Sequence, residues 1–170
     1  MLPKGKRKEM AKIALLRTPK TLGFPFNDFL CFPLGLMYVA SALREFGKHD
    51  VIIIDPKVDH MPYSQILQSL REFSPDFVGI SGMTYEADEL HKMAGLIKQA
   101  LPGVIVVAGG VHASVAPDEL IKDHNINYVV TGDGEEAFCS LIDRIKAGDT
   151  CPELPSLAYR QNGRVVINPH

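Results

Sequence analysis

Apolar segments rich in Val and Ile recur along the chain, and turn-forming residues bound each of them. Five of these segments are continuous rather than alternating: Lys12–Thr18, Asp50–Asp55, Asp76–Ser81, Gly103–Gly109 and Asn127–Gly132. Continuous apolar runs of this length are typical of strands that are covered on both faces. The pattern therefore predicts five buried β-strands.

Segments with helical spacing separate the predicted strands. They cover Pro33–Phe46, Tyr63–Phe73, Glu86–Leu101, Pro117–Asp123 and Glu135–Lys146. Strands that alternate with helices in this way pair in parallel through right-handed crossovers, with helices on both faces of the sheet. We therefore predict an α/β fold: a flavodoxin-like, doubly wound parallel sheet of five strands in the order 2-1-3-4-5.

The two ends of the chain depart from this repeat. Residues 1–11 hold a basic cluster and are predicted to form a solvated tail. Near the other end, Asn162-Gly163 lies between two short apolar runs, a strong hairpin signal. We assign residues 12–148 to one Rossmann-like domain. Residues 149–170 are assigned to a linker and a β-hairpin extension that would lead to a separate catalytic domain.

Composition narrows the classes of function. The chain has 170 residues, of which 46% are apolar, as is typical of a single globular domain. Its net charge of −2 argues against non-specific binding of nucleic acid, which needs a basic face. The most apolar segment, Phe29–Leu43, is shorter than the about 20 residues that span a bilayer, and Pro33 interrupts it. We expect a cytoplasmic protein without a transmembrane segment.

The three cysteines lie far apart, at Cys31, Cys139 and Cys151. None of them forms a pair with the spacing of a zinc or iron–sulfur site. An odd number of cysteines also fits a reducing compartment better than a disulfide framework. We therefore expect no metal bound by cysteine.

Glycines lie where three of the predicted strands lead into helices, within Ser81–Thr84, Gly109–Ser114 and Gly132–Glu136. Ligands of open parallel sheets bind at the carboxyl ends of the strands. Glycine there lets the backbone approach a partner closely, and the helix N-termini beyond offer free N–H groups. The three loops together predict a wide binding site at one edge of the sheet.

Common occupants of this fold do not match the sequence. A phosphorelay receiver needs acidic residues after the first strand, an aspartate ending the third and a lysine ending the fifth. This chain has Arg17-Thr18, Ser81 and Thr131-Gly132 at those places. The dinucleotide motif G-x-G-x-x-G is missing from the first turn, and the long apolar loop there does not suit a flavodoxin phosphate site.

Four segments in this order and spacing, PLGLMYVASALREFG, PDFVGISGMT, VVAGGVHASVAPDEL and VVTGDGEEAF, carry a resemblance. They resemble the cobalamin-binding domain that precedes the radical SAM core of class B radical SAM enzymes, in particular the anaerobic magnesium-protoporphyrin monomethyl ester cyclase group. The resemblance covers about residues 12–167 and implies cobalamin as the cofactor. It also implies a C-terminal radical SAM domain, with a [4Fe-4S] cluster and S-adenosylmethionine, in the parent protein. The C-x-x-x-C-x-x-C motif of that cluster is absent from this sequence, so the chain alone would bind cobalamin rather than catalyse.

The resemblance implies cofactor contacts from four segments. The start of the first helix would face the corrin ring, and the loop after the third strand would line the slot for the benzimidazole tail. The loop after the fourth strand would pass near the phosphate, ribose or corrin amides, and the loop after the fifth would close the other wall. In this order the residues are Pro33, Leu34, Gly35; Ser81, Gly82, Met83, Thr84; Gly109, Gly110, His112; and Gly132, Asp133, Gly134, Glu135.

A histidine ligand to cobalt is missing from the expected place. His-ligated cobalamin domains carry D-x-H-x-x-G after the first strand. Here Asp28 is followed two residues later by Leu30, Pro33 stands in the place of the glycine, and His60 follows the second strand instead. We therefore predict cobalt bound without a protein imidazole. Within the resemblance, this favours methyl transfer or oxidative cyclisation of a tetrapyrrole-like substrate by the parent enzyme.

Two other interpretations stay open at this point. A flavodoxin-like domain could bind another ligand or a partner protein, with no affinity for corrinoids, and use its glycines for tight turns. The second interpretation is a glycosyltransferase-like domain that binds a nucleotide sugar. Such a domain is expected to carry an acidic metal-binding pair at the end of a strand, and the sequence shows no convincing pair there. Without the glycines around it, His112 would be interpreted as a polar loop residue bonded to a neighbouring backbone rather than as a cofactor contact.

Overall fold

Five parallel strands form the centre of the computed structural model, which describes residues 10–19, 32–150 and 153–169. The strands are β1 (Lys12–Arg17), β2 (Asp50–Ile54), β3 (Phe77–Ser81), β4 (Ile105–Gly109) and β5 (Tyr128–Val130). They lie in the order β2-β1-β3-β4-β5. The doubly wound α/β prediction and its strand order are confirmed.

Helices cover both faces of the sheet. They are α1 (Leu34–Glu45), α2 (Tyr63–Phe73), α3 (Ala87–Ala100), α4 (Val111–Val115), α5 (Pro117–Lys122) and α6 (Gly134–Lys146). The apolar sides of α1 and α6 share one core with the sheet, and those of α2, α3 and α5 share the other. Within the described ranges, no helix has both the length and the apolar character needed to cross a membrane.

Side chains of β1 show how the sequence separates the two cores. Ile13 and Leu15 pack on the α1 and α6 side, whereas Ala14 and Leu16 pack on the α2 and α3 side. All four are almost completely buried. Successive strand residues point to opposite faces, so a strand covered on both sides must be apolar at every position. This is why the continuous runs predicted strands correctly.

The predicted C-terminal hairpin forms and extends the same sheet to seven strands. Strands β6 (Leu157–Gln161) and β7 (Arg164–Ile167) are antiparallel, and β6 pairs with β5. The Arg160 guanidinium donates to the backbone carbonyls of Ile121, Asp123 and Ile126. The hairpin therefore covers the edge of β5, which is only three residues long. The division of the chain at residue 148 stays a prediction.

Candidate cofactor-binding site

A cavity opens at the carboxyl edge of the sheet, between the strands and helices α1 and α6. Its empty space, about 650 Å³, includes a part that is open to solvent. Leu15, Gly79 and Val107 lie side by side in register across β1, β3 and β4 and form its floor. Leu36 of α1 and Phe138 of α6 contribute apolar walls.

Residues from all four predicted segments meet at this cavity. The predicted site residues that line it are Gly35, Ser81, Gly109, Gly110, Gly132, Asp133, Gly134 and Glu135. They come from the start of α1 and from the carboxyl ends of β3, β4 and β5. The parallel topology alone brings these loops together, because each strand delivers its carboxyl end to the same edge.

The other predicted site residues do not line the cavity: they are Pro33, Leu34, Gly82, Met83, Thr84 and His112. Leu34 exposes its side chain next to the lining residue Gly35, and Met83 exposes its side chain two residues after the lining residue Ser81. Gly82 is buried, and a Cβ added to it would lie 3.0 Å from Cγ2 of Thr18. For these residues, contact with a cofactor stays a prediction.

Gly110 brings the β4 loop against the β3 loop. Its backbone has φ 88° and ψ −164°, a region that essentially only glycine adopts. A Cβ added there would lie 2.6 Å from Oγ of Ser81 and 3.0 Å from the carbonyl oxygen of Gly82. On the other side, Ser114 Oγ accepts the N–H of Gly132 at 2.9 Å and joins the β4 loop to the β5 loop. The backbone contacts of Gly110 and the Ser114 hydroxyl therefore connect the loops that follow β3, β4 and β5.

The His112 side chain does not line the cavity and instead contacts helix α5. It is buried in α4, and its Nε2 lies 2.7 Å from Oε2 of Glu119 in α5. Its backbone N–H donates to the carbonyl oxygen of Gly82 at 3.2 Å. The observed contact of this side chain is thus with a neighbouring helix, as expected for a structural histidine.

Glu119 also joins His112 to a second histidine. His91 of α3 lies 2.8 Å from Glu119 through Nε2 and 2.7 Å from Asp123 through Nδ1. Burial lowers the pKa of His91, but the hydrogen bonds to Asp123 and Glu119 outweigh burial and raise it above 6.5. Burial conversely raises the pKa of each carboxyl, and the hydrogen bonds to histidine outweigh it and hold both pKa values below their usual range. The cluster favours a protonated His91 between two carboxylates.

Apolar side chains stay exposed around the start of α1. Phe32, Leu34, Met37 and Tyr38 are all exposed, with Leu34 at 61% and Tyr38 at 65%. The first helix is apolar on nearly every side in the sequence, and its outer side is not covered by the sheet. Exposed apolar groups in one place mark a surface that another molecule covers.

Gly79 lines the cavity but was not among the residues predicted from the sequence. A Cβ on Gly79 would lie 2.9 Å from Cδ2 of Leu15 and 3.0 Å from Cε1 of Phe138. The missing side chain therefore allows the Phe138 ring to pack on the strand and shape the cavity. Glycine inside an apolar strand was the available signal, since it weakens a strand unless something must approach closely.

Comparison with known proteins shows what this arrangement resembles. Residues 28–142 match the B12 binding domain family. An uncharacterized methyltransferase of Pyrococcus horikoshii is 36% identical over 81% of this chain and 30% of its own length. The anaerobic magnesium-protoporphyrin IX monomethyl ester cyclase of Rubrivivax gelatinosus is 25% identical over 81% of this chain and 26% of its own length. The chain thus spans about a third or less of the length of these relatives.

Solved structures share the fold. The radical S-adenosylmethionine methyltransferase TsrM from Kitasatospora setae, with cobalamin and a [4Fe-4S] cluster bound, superposes with a TM-score of 0.79 at 22% identity. The match covers 95% of this chain and 29% of that one. The cobalamin-dependent S-adenosylmethionine radical enzyme OxsB, with aqua-cobalamin and S-adenosylmethionine bound, gives 0.81 at 21% identity, over 95% of this chain and 22% of that one.

Proposed function

The chain belongs to the B12 binding domain family, and from this we propose that the cavity between the sheet and helices α1 and α6 receives the nucleotide tail of cobalamin. The corrin ring then lies over the mouth of the cavity, against the exposed apolar residues of α1. The observation that carries the proposal is the apolar floor of Leu15, Gly79 and Val107 beneath a rim of glycines. When bound, cobalamin supplies a cobalt centre for methyl transfer or redox chemistry.

The lining residues fit this cofactor. Apolar side chains and the Phe138 ring suit a flat aromatic base, and the glycines of the rim leave room for a large ligand. The Ser81 hydroxyl can donate a hydrogen bond within the slot. Asp133 and Glu135 place carboxylates at the wall, where they can accept hydrogen bonds from the amide side chains of the corrin.

We further propose that no histidine of the chain ligates cobalt. Among the described residues, His49, His60, His91, His112 and His124 do not line the cavity. The segment between β1 and α1, where the D-x-H-x-x-G motif would stand, contains no histidine. Asp28 and Leu30, on which the sequence prediction rests, lie outside the described residues.

The whole protein is proposed to be a cobalamin-dependent radical SAM enzyme that performs methyl transfer or oxidative cyclisation. The names of the relatives support both reactions, since they include methyltransferases and a cyclase. The substrate is chosen outside this domain. Formation of S-adenosylhomocysteine during turnover of the longer protein would support methyl transfer, and its absence during turnover would contradict it.

The proposal is tested by anaerobic titration of the chain with hydroxocobalamin, followed by desalting and a visible spectrum. We expect near-stoichiometric retention. Ser81→Tyr abolishes it, because the ring fills the slot beside Gly110. Ser64→Tyr, an equal change at an exposed position of α2, retains cobalamin as the wild type does.

The same sample tests the cobalt ligand. After reduction to cob(II)alamin, the electron paramagnetic resonance spectrum is recorded with and without ¹⁵N-labelled histidine in the protein. We expect identical spectra, and a splitting that changes with the isotope would identify a protein imidazole.

Failure of the wild-type chain to retain any corrinoid would favour a flavodoxin-like domain with another ligand or partner.

A further inference from the structure

A buried ion pair lies near the carboxyl ends of β1, β2 and β3. Lys57 and Glu86 are only 3% and 2% exposed, and the Lys57 ammonium contacts Oε1 of Glu86. Thr18 is fully buried and donates its hydroxyl to Oε2 of Glu86 at 2.7 Å. Desolvation makes a buried ion pair no more stabilising, in many proteins, than apolar residues of similar volume. A contribution to stability therefore only weakly explains why this ion pair is buried here.

Glu86 fixes the backbone at the end of β3. Its Oε2 also accepts the N–H of Met83 at 2.8 Å. The N–H of Thr18 donates to the carbonyl oxygen of Ser81 at 3.0 Å. Glu86 and Thr18 together thus hold the segment Ser81–Met83 at both of its ends.

The segment Ser81–Met83 in turn supports the cavity rim. Gly82 donates its N–H to the carbonyl oxygen of Gly109 at 3.4 Å and accepts the N–H of His112 at 3.2 Å. Gly110 lies so close to Ser81 and Gly82 that not even a methyl group fits between them. A shift of the segment therefore changes the wall that Ser81 and Gly110 form.

The lysine is positioned as firmly as the glutamate. The backbone N–H of Lys57 donates to Oδ1 of Asp55 at 3.1 Å, and Oδ2 of Asp55 pairs with Arg17 at 3.2 Å. The ion pair is thus anchored to β1, which neighbours β3 in the sheet, and to the end of β2, which lies on the other side of β1. A rigid anchor is what a preorganised site needs behind its contact residues.

We infer that Glu86 is a positioning residue for the cobalamin site, which through Met83 and Thr18 holds the segment Ser81–Met83 in the conformation that accepts the ligand. The inference rests on the proposed function. It assigns a role in binding to residues that do not line the cavity. Preorganisation of this kind raises affinity because the segment need not be ordered when the ligand binds.

Two double variants of the full chain test the inference, with hydroxocobalamin as the probe. Lys57→Met with Glu86→Leu removes both charges and the acceptor for Met83. Lys57→Met with Glu86→Gln removes the same charges but keeps an oxygen for the Met83 N–H. We expect the Leu variant to bind about tenfold more weakly, with faster release, and the Gln variant to bind nearly as the wild type.

A general loss of stability would not give this result. While a variant remains more than about nine-tenths folded, the unfolded fraction changes the apparent Kd by only about a tenth. Equal affinity of the Leu and Gln variants would overturn the inference. Absence of binding by the wild type would instead overturn the proposed function.

Thr18 gives an independent test if the Leu variant does not fold. Thr18→Val keeps the shape of the side chain but removes the donor to Glu86, whereas Thr18→Ser keeps the donor. We expect weaker corrinoid binding for Thr18→Val than for Thr18→Ser. Equal dissociation constants for the two variants would count against the role of Glu86.

Discussion

Gly110 shows at the scale of one residue how backbone conformation shapes the site. Its φ of 88° and ψ of −164° are reached at little cost only without a side chain. The same conformation lets the β4 loop rest on Ser81 and Gly82. A single position thus combines a conformational and a steric requirement.

Gly110→Ala is therefore expected to lower the free energy of unfolding by about 1–3 kcal/mol and to abolish corrinoid retention. The added Cβ must displace Ser81, which lines the cavity. Chemical denaturation and the hydroxocobalamin titration measure the two effects. Gly103→Ala is the matched control, since a Cβ there meets nothing within 4 Å and retention should be unchanged. Normal retention by Gly110→Ala would show that the rim tolerates a shift.

Individual site residues differ in how much of their role the sequence reveals. The cavity-lining glycines at the end of β4 and after β5 could be predicted, because glycine where a strand leads into a helix indicates either a tight turn or a close approach of the backbone. Glu86 could not, since an acidic residue at the start of a helix fits the helix dipole equally well. Only the fold shows that Lys57 and Thr18, distant in the chain, surround it.

At the scale of secondary-structure elements, a cluster of ionisable side chains joins helices α3 and α5. His91 on α3 lies between Glu119 of α5 and Asp123 just after it, and Glu119 also contacts His112 of α4. Because the pKa of His91 is raised on folding, its protonated form stabilises the folded state. That contribution is complete below the usual pKa of 6.5 and is lost as the pH rises through the raised value.

We expect His91→Gln to destabilise the protein most between about pH 5 and 6 and progressively less toward pH 9. The pKa values of Glu119 and Asp123 are lowered on folding, so these carboxylates stay ionised in this window. Their contribution is lost only as the pH falls below their usual values of 4.5 and 3.8 and through the lowered ones. Thermal denaturation of both proteins across this pH range gives the difference. A difference that grows toward high pH would contradict the assignment of a protonated His91.

Elements were predictable where burial imposed a pattern. The parallel strands and the longer helices each present an apolar period that tertiary contacts then use. Helix α4 was not predicted, because its five residues follow the glycine pair of β4 and are too short to show a helical period. The pairing of β6 with β5 was not predicted either, because a hairpin signal gives the turn but not the neighbour of its strands.

At the scale of the whole molecule, the C-terminal hairpin of β6 and β7 contributes to the core and to the edge of the sheet. Leu157, Ala158 and Tyr159 are buried, so β6 contributes to the core as well as to the edge of the sheet. The Arg160 guanidinium satisfies three backbone carbonyls at the end of α5 and in the turn after it. One side chain therefore links the last two strands to α5 and to the turn that follows it.

Arg160→Met is expected to lower the free energy of unfolding by about 1.5–3 kcal/mol, because buried carbonyls lose a charged donor. Urea denaturation of the full chain measures this change. Arg164→Met, at an exposed position of β7, should change stability by no more than about 0.5 kcal/mol. A similar loss in both variants would mean that the guanidinium contacts contribute little.

The order in which a ribosome makes the chain gives the hairpin one further consequence. All five parallel strands have emerged once β5 is complete, but β5 then has no neighbour on its outer side. Until residues 157–161 follow, the nascent domain presents an open strand edge, to which another nascent chain can pair. Residues outside the cavity thus determine how long the newly made domain is exposed to misassembly.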